Sequence, residues 1–192
     1  MARPDIDLST HVQDVLAVLE IEDLTDVTLL GHSYGGMVAT GVADKAPGRI
    51  ARVVYIDAFA PKDEQSLFDL LGPKGEAYMR AGAAKDGDGW KLPLNPMPPD
   101  TSPEDSAWAV PKRRPQPIKT FEEKIKLTLA KFPPRHYIYA KKNGPGDVFR
   151  QFAERARSKP GWTHHEIDAS HNPHITCPDV LMALLTKIMA AE

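Results

Sequence analysis

The chain has 192 residues, of which 42% are hydrophobic and 26% charged, and its formal net charge is −2. This length can bury the core of one domain with a lobe inserted into it. The small net charge gives no electrostatic reason to expect a nucleic acid or an anionic membrane as partner. No apolar run approaches the roughly 20 residues that span a bilayer. The N-terminal residues lack the apolar core of a signal peptide, and the single cysteine, Cys177, suits a reducing compartment, so we expect a cytoplasmic protein.

Helices and strands alternate through most of the chain. The apolar residues of "THVQDVLAVLE" (10–20) recur at helical spacing, and Thr10 with Gln13 fits a capping box at the start of that helix. In chain order, the pattern then predicts a strand over 26–31, a helix from 35 that ends near Pro47 and Gly48, and a strand over 52–59. After the insertion it predicts a strand over 135–140, a helix over 146–158, a more polar strand near an edge over 164–169 and a helix over 178–191. This alternation predicts an α/β fold with a mostly parallel sheet and helices on both faces.

Residues 61–133 interrupt that alternation. Eight of the 18 prolines fall between Pro93 and Pro117, and proline cannot donate to a sheet ladder, so no strand is expected there. The sequence predicts a short helix over 63–81, a proline-rich loop and a helix over 121–132. The basic run at 112–114 is interpreted as a solvated loop without function. We therefore divide the chain into a core, 1–60 and 134–192, and an insertion, 61–133.

The segment "GHSYG" (31–35) carries a G-x-S-x-G pattern directly after a predicted strand and directly before a predicted helix. A turn this tight holds Ser33 in a strained, exposed position, and we expect the residues two places away to lack a Cβ for that reason. The amides at the start of the next helix favour developing negative charge. The pattern predicts a nucleophilic serine; an ordinary helix start capped by Ser33 is the plainer alternative.

From about residue 5 to 190 the chain resembles the α/β-hydrolases. "GHSYGGMVATGVADKAP" followed by "VVYIDAFAPKDEQS" is similar to the branch that contains plant methylesterases, hydroxynitrile lyases and bacterial esterase relatives. The resemblance implies an α/β-hydrolase fold, a small cap formed by 61–133 and partners for the serine in the chain order Ser…Asp…His.

The resemblance places a catalytic histidine in "IDASHNPHITCPDV", just ahead of the last helix. We favour His171, which follows the turn residues, over His174, which would pack or cap a helix. Zinc ligation by His171, His174 and Cys177 is disfavoured, because Pro173 and Pro178 prevent the continuous helix that their spacing requires. No metal and no cofactor are expected.

Two carboxylates compete for the place of the triad acid. In most relatives the acid follows the strand at 135–140, but here lysines come first and Asp147 comes several residues late. Asp57 ends an earlier strand, which is where some α/β-hydrolases carry their acid, and a carboxylate buried there needs a partner such as a histidine. We favour Asp57 over Asp147, with Asp168 as an outsider.

These residues predict a serine hydrolase that cleaves small carboxylic esters. Ser33 would attack the carbonyl, His171 would transfer its proton and Asp57 would hold the imidazole tautomer. The backbone N–H of Tyr34 would donate to the oxyanion. His32 belongs to the same binding site beside the nucleophile, where we expect it to pack and not to react. Apolar residues of the insertion are expected to line the site and to favour small acyl or aryl esters over charged substrates: Phe68, Met79, Trp90 and Trp108.

Two other functions are weighed against the esterase. A hydroxynitrile lyase typically has a lysine after the histidine, and here Asn172 follows His171. A non-catalytic ligand-binding protein on the same fold would lack ester hydrolysis altogether.

The resemblance also implies that the N-terminal strands of the family, with their "HG" segment and its second oxyanion donor, have no counterpart upstream of Gly31. The nucleophile strand is then expected to have one bare, apolar edge, and the helix carrying Val12 and Leu19 to be partly uncovered. Edges and patches of this kind recruit another chain, so a symmetric homodimer is predicted.

Overall fold

The computed structural model describes residues 3–128 and 131–190. In chain order the elements are α1 (Leu8–Ile21), β1 (Val27–Ser33), α2 (Gly35–Lys45), β2 (Ile50–Ala58), α3 (Leu67–Asp86), α4 (Pro103–Ala109), α5 (Lys119–Glu122), β3 (Arg135–Ala140), α6 (Arg150–Ser158), β4 (Trp162–Ile167), α7 (Pro173–Thr176) and α8 (Pro178–Ala190), with a 3₁₀ turn at Val110–Lys112. No helix within these ranges is both long and apolar enough to cross a bilayer.

A parallel sheet with the strand order β1-β2-β3-β4 organises the fold. The predicted α/β class is therefore confirmed, and β4 lies at an edge as expected. β1 forms the opposite edge, and among the described residues it pairs with β2 alone. Because all four strands are parallel, their carboxyl ends lie along one side of the sheet, where α/β folds place their ligands.

Successive side chains of the central strands lie alternately in two apolar cores, one on each face of the sheet. Tyr55 and Tyr137 belong to the first core, which also holds the buried residues of α1, α2 and α6. Val54 and Ile138 belong to the second core, which α8 covers. Helices thus cover both faces, as the alternation of the sequence predicts.

Helix α1 begins at Leu8, before the predicted start at Thr10, and Asp7 caps it in place of Thr10. The side chain of Asp7 accepts a hydrogen bond from the backbone N–H of Thr10 at 2.8 Å, so Thr10 is the third helical residue and not the cap. Asp7 is a strong N-cap residue, and the earlier start also brings Leu8 into the helix, where it is 2% exposed. The burial of Leu8 and the capping box explain why the helix begins before Thr10.

The insertion differs from its prediction in its middle. Helix α4 forms inside the segment predicted as a proline-rich loop, because Ser102 accepts a hydrogen bond from the N–H of Asp105 at 3.0 Å and Pro103 occupies the first helical position. Helix α3 extends to Asp86, beyond the predicted end, and is broken at Gly72, whose φ is +74°.

Of the helix predicted over 121–132, only the first two residues are helical in the structure, and residues 129 and 130 lie outside the described residues. Only α5, Lys119–Glu122, is present. The backbone that follows is bonded to other segments instead: the N–H of Leu127 donates to Asp63 at 2.7 Å and that of Thr128 to Asp44 at 2.8 Å. Amides engaged in this way cannot build a helical ladder, so long-range contacts override the local pattern.

The insertion shares the core of the rest of the chain. Phe68 of α3 and Phe121 of α5 are buried in the same apolar cluster as Met37 of α2 and Val12 of α1. Residues 61–133 therefore pack onto the sheet-and-helix body as a layer, without a separate apolar centre among the described residues.

Candidate active site

Ser33 ends strand β1 in a strained conformation, with φ at +54°. This left-handed geometry is uncommon outside glycine and supports the predicted sharp turn. A Cβ on Gly31 would lie 2.6 Å from the carbonyl oxygen of Gly35, and one on Gly36 would lie 2.1 Å from that of Phe59, whereas Gly35 faces open space. The close approach thus requires glycine at 31 and 36, and not at 35 as the spacing predicted.

His171 follows β4 and joins Ser33 to a carboxylate. Its Nε2 atom lies 3.0 Å from the hydroxyl oxygen of Ser33, and its Nδ1 atom lies 2.7 Å from Oδ2 of Asp57. The imidazole stacks on the ring of Phe149, with the two centroids 4.7 Å apart. Three residues that are far apart in sequence therefore form one hydrogen-bonded chain.

Asp57 lies at the end of β2 with φ at +42°, and its side chain is fully buried. Besides His171, it accepts hydrogen bonds from the side-chain amide of Asn143, at 3.0 and 3.1 Å, and from the backbone N–H of Ala140 at 3.3 Å. These donors satisfy a carboxylate that would otherwise be costly to bury. Asn143 was not singled out in the sequence; its only signal is an amide in the loop after β3.

The two other candidate acids point elsewhere. Asp147 accepts hydrogen bonds from the hydroxyl of Tyr139 at 2.6 Å and from the backbone N–H of Phe149 at 2.8 Å. Asp168 forms an exposed ion pair with Lys142 at 3.1 Å. Neither carboxylate contacts His171 in the described structure.

His32, placed by the sequence beside the nucleophile, lines the cavity around Ser33. It also contacts the loop between β4 and α7, residues 168–172, which carries His171 and is called the histidine loop. Its Nε2 atom lies 2.6 Å from the backbone carbonyl oxygen of His171. Burial, with the nearby His171 and His174, lowers the pKa of His32 to about 3, so the ring is neutral at ordinary pH. A carbonyl oxygen can only accept, so Nε2 carries the single proton and Nδ1 has none to donate. This contact favours a positioning role over donation to an oxyanion.

His174 packs rather than contacting Ser33. Its ring lies 4.5 Å from that of His32, centroid to centroid, on the short helix α7. Burial lowers the pKa of His174, and the neighbouring His171 lowers it further. No group of three or more His, Cys, Asp or Glu within residues 3–128 and 131–190 is arranged to hold a metal ion.

Tyr34 follows Ser33 directly and is the residue before α2, so its backbone lies at the N-terminal end of that helix. Its side chain turns away from Ser33: the hydroxyl lies 2.9 Å from Nδ1 of His11, and the ring stacks on Phe121 at 5.8 Å. Burial raises the pKa of the Tyr34 hydroxyl. The side chain therefore anchors the turn after β1, and only the backbone N–H of Tyr34 remains a candidate oxyanion donor.

A cavity of about 560 Å³ opens over Ser33 and His171. None of the four residues expected to line it does so: Phe68 is part of the core, and Trp108 is 59% exposed with the ammonium of Lys112 over its ring. The insertion contributes other side chains from the proline-rich stretch and the end of α4, namely Asn95, Pro96, Met97, Pro98, Pro99, Ala109 and Arg113. Arg113 departs from the interpretation of 112–114 as a purely solvated loop, because it is half-buried, lines the cavity and contacts Met97, which lies 16 residues away in sequence.

The insertion is also tied to the histidine loop by Asp100. One carboxylate oxygen accepts the backbone N–H of Ser170 at 2.9 Å, and the other accepts the hydroxyl of Ser170. Burial alone would raise the pKa of Asp100, but these hydrogen bonds bring it below its usual value. Ser170 directly precedes His171, so one residue of the insertion holds the loop that carries the imidazole. Sequence reasoning did not identify this contact.

A parallel sheet whose first strand ends in a serine on a strained turn defines the α/β-hydrolase class of fold. The model of the alpha/beta hydrolase family matches residues 2–184, and the chain belongs to that family. An esterase of a Nocardioides strain, which hydrolyses carbendazim, is 33% identical over 197 aligned positions that cover 98% of this chain and 81% of the esterase.

Solved structures agree with this family. An extracellular α/β-hydrolase of a Paenibacillus species superposes with a TM-score of 0.82 at 25% identity, covering 96% of this chain and 81% of that protein. A methylesterase from Arabidopsis shares the fold with a TM-score of 0.73 at 22% identity, covering 96% of this chain and 78% of the methylesterase. The fold described here is shortened relative to these neighbours. The predicted resemblance to the methylesterase branch and the predicted class, a carboxylic ester hydrolase, are confirmed.

Proposed function

We propose that this protein hydrolyses small carboxylic esters through an acyl-enzyme on Ser33. The observation that carries the proposal is the chain of hydrogen bonds from Ser33 through His171 to Asp57, at 3.0 and 2.7 Å. A carboxylate can only accept, so Asp57 favours the imidazole tautomer that carries its proton on Nδ1. The Nε2 lone pair then faces the serine hydroxyl, which is the arrangement a general base requires.

The reaction follows from this arrangement. The hydroxyl oxygen of Ser33 attacks the ester carbonyl while Nε2 of His171 takes its proton. The backbone N–H of Tyr34, at the start of α2, stabilises the negative charge on the tetrahedral intermediate. His171 returns the proton to the departing alcohol oxygen as the C–O bond breaks, which leaves an acyl-serine. Water, deprotonated by the same imidazole, then releases the carboxylic acid and restores Ser33.

Residues 61–133 act in this proposal as a cap over the active site. They supply one wall of the cavity, and Asp100 links them to the histidine loop through Ser170. The cavity volume of about 560 Å³ lies within the range of small-molecule sites, roughly 300–1,000 Å³, so small esters are favoured over polymers. We expect no cofactor in the reaction.

A homodimer is part of the same proposal. β1 pairs on one side only among the described residues, and Leu30, in the middle of that strand, is 43% exposed. Leu30 is paired in register with Val54 of β2, so the two side chains lie on the same face of the sheet. Helix α8 covers this face at Val54 but leaves it exposed at Leu30. An uncovered apolar face beside a bare strand edge favours association with a second copy.

The decisive test replaces the nucleophile. We expect Ser33→Ala to abolish hydrolysis of a chromogenic short-chain ester while the far-ultraviolet circular dichroism spectrum stays unchanged, since only a hydroxyl is removed. An organophosphonate should label Ser33 in the wild type and nothing in the variant.

The matched control is Ser158→Ala, since Ser158 is exposed and donates only to the carbonyls of its own helix. This variant should keep full activity. Turnover that survives in Ser33→Ala would refute the mechanism, and a wild type that binds esters without hydrolysing them would favour the non-catalytic alternative.

A further inference from the structure

Two positively charged side chains line the cavity that contains Ser33. Arg113 comes from the end of the 3₁₀ turn in the insertion, and Lys142 comes from the loop after β3. No Asp or Glu of the described chain lines the same cavity. A pocket for neutral acyl or aryl esters does not need this charge, and the sequence had favoured uncharged substrates.

The charge of Lys142 already has partners. Its ammonium lies 3.1 Å from a carboxylate oxygen of Asp168, and its charge also acts on Asp100. The Lys142–Asp168 pair is mostly solvent-exposed, with 53% and 71% of the two side chains accessible. Lys142 therefore adds only part of a positive charge to the cavity.

Arg113 is different, because no carboxylate of the described residues forms an ion pair with it. Its guanidinium makes one side-chain contact, from Nη1 to the sulfur of Met97 at 3.7 Å, and Met97 lines the cavity as well. The residue is half-buried. A thioether is a weak acceptor, so this contact leaves most of the five guanidinium N–H donors of Arg113 available.

The adjacent arginine shows that this arrangement is not a general property of the basic run. Arg114 is exposed, donates to the backbone carbonyls of Pro111 and Arg113, and lines a separate cavity beside Tyr34. Of the two neighbours, only Arg113 faces the nucleophile's cavity.

We propose that the substrates are esters that carry a second, free carboxylate, and that Arg113 binds this carboxylate while the ester carbonyl lies at Ser33. This inference rests on the proposed esterase function and specifies its substrate class. A planar guanidinium matches a carboxylate with two parallel hydrogen bonds, and partial burial strengthens such a pair. Hydrolysis of a dicarboxylic acid monoester with one water releases the alcohol, a dicarboxylate and one proton, so no further reactant is required.

The test compares two substrates that differ only at the remote end, which is a free carboxylate in monomethyl adipate and a neutral methyl ester in dimethyl adipate. We expect wild type to have the higher kcat/KM for the monoester. Arg113→Gln should lower kcat/KM for the monoester by about ten- to a hundredfold, the range expected for a charge-assisted hydrogen bond. It should change kcat/KM for the diester by less than about twofold, because the diester has no free carboxylate for Arg113 to bind. Arg114→Gln is the matched control and should change neither value.

Equal losses for both esters in Arg113→Gln, or no loss for either, would overturn the proposal while leaving the esterase function standing. A binding measurement tests the anion site independently of the proposed catalysis. Calorimetry should show that monomethyl adipate binds the Ser33→Ala protein and that the added Arg113→Gln change weakens this binding by a similar factor. If wild type hydrolyses no ester but this difference in binding is found, the anion site is supported and the proposed catalysis is refuted.

Discussion

At the scale of single residues, the site depends on two strand ends that share an unusual backbone conformation. Ser33 and Asp57 both have positive φ values, +54° and +42°, and they end neighbouring parallel strands. In each case the left-handed conformation ends the regular alternation of side chains and directs a functional group toward His171. Such strain persists only where the surrounding contacts over-determine it, and here glycine at 31 and 36 and the donors around Asp57 do so.

The identity of the triad acid leads to a prediction at this scale. We expect Asp57→Asn to lower kcat by up to about 10⁴-fold, because an asparagine amide can present a donor to Nδ1 and so favour the wrong imidazole tautomer. Asp147→Asn should lower kcat far less, since Asp147 is engaged by Tyr139 and Phe149 and not by His171. Steady-state kinetics of both variants with one ester decide the point. A crippled Asp147→Asn enzyme beside a nearly normal Asp57→Asn enzyme would identify Asp147 as the acid.

At the scale of elements, the insertion and the histidine loop are linked by a single carboxylate. The bonds from Asp100 to the N–H and hydroxyl of Ser170 join the segment before α4 to the segment before α7. His32 holds the same loop from the other side, through the carbonyl of His171. The imidazole is thus positioned by β1 and by the insertion together.

This link predicts that Asp100→Ala impairs turnover without removing any group that touches the substrate. Freed from Asp100, the loop should place His171 less accurately, and misplacement of this kind can cost up to about a hundredfold in rate. The loss should appear in kcat more than in KM, and Asp100→Asn, which retains an acceptor for the N–H of Ser170, should recover part of it.

Asp105→Ala is the control for this prediction, because Asp105 is bonded to Ser102 within its own helix cap and not to the histidine loop. A kcat for Asp100→Ala equal to that of wild type would show that the loop keeps its position without the contact.

At the scale of the whole molecule, apolar surface is distributed unevenly. The face of α1 that was expected to be uncovered is buried, with Val12 at 2% and Leu19 at 3% exposure, because α2 packs against it. Exposed apolar side chains lie elsewhere, among them Val18 (53%) and Ile21 (79%) of α1, Leu30 of β1 and Val180 of α8. The proposed contact between two copies therefore depends on the bare edge of β1 and on Leu30, and not on the face of α1 that carries Val12 and Leu19.

The predicted dimer is tested by light scattering at micromolar concentration. The chain has a mass of 21.2 kDa, and we expect a particle of about twice that mass. Leu30→Lys should shift the particle toward the monomer, because a lysine on an edge strand discourages pairing. Val180→Lys, a change of equal charge at a 58% exposed position of α8, should not. A wild-type particle of a single chain's mass would refute the dimer.

The local pattern of the sequence was sufficient to predict the parallel α/β arrangement and the position of the sharp turn at Ser33. Apolar runs such as 52–59 and the glycines around Ser33 have strong local preferences, and the structure confirms the strand β2 and the turn after β1. His171 and Asp57 were selected from the sequence with the help of family order, and in the structure His171 lies within hydrogen-bond distance of both Ser33 and Asp57. The sequence alone left the acid open between Asp57 and Asp147, since sequence spacing says nothing about which strand end lies beside the loop that carries His171.

Only the tertiary structure decided how the insertion meets the site. Residues 123–128 were predicted to continue a helix, but contacts with Asp63 and Asp44, far away in sequence, hold the backbone of 127 and 128 in another conformation. The cavity walls, the turn of Arg113 toward Ser33 and the bonds of Asn143 and Asp100 likewise depend on segments that meet only after folding. Local propensity is determined by near neighbours along the chain, whereas these contacts join residues up to 86 positions apart, and no pattern of local periodicity carries that information.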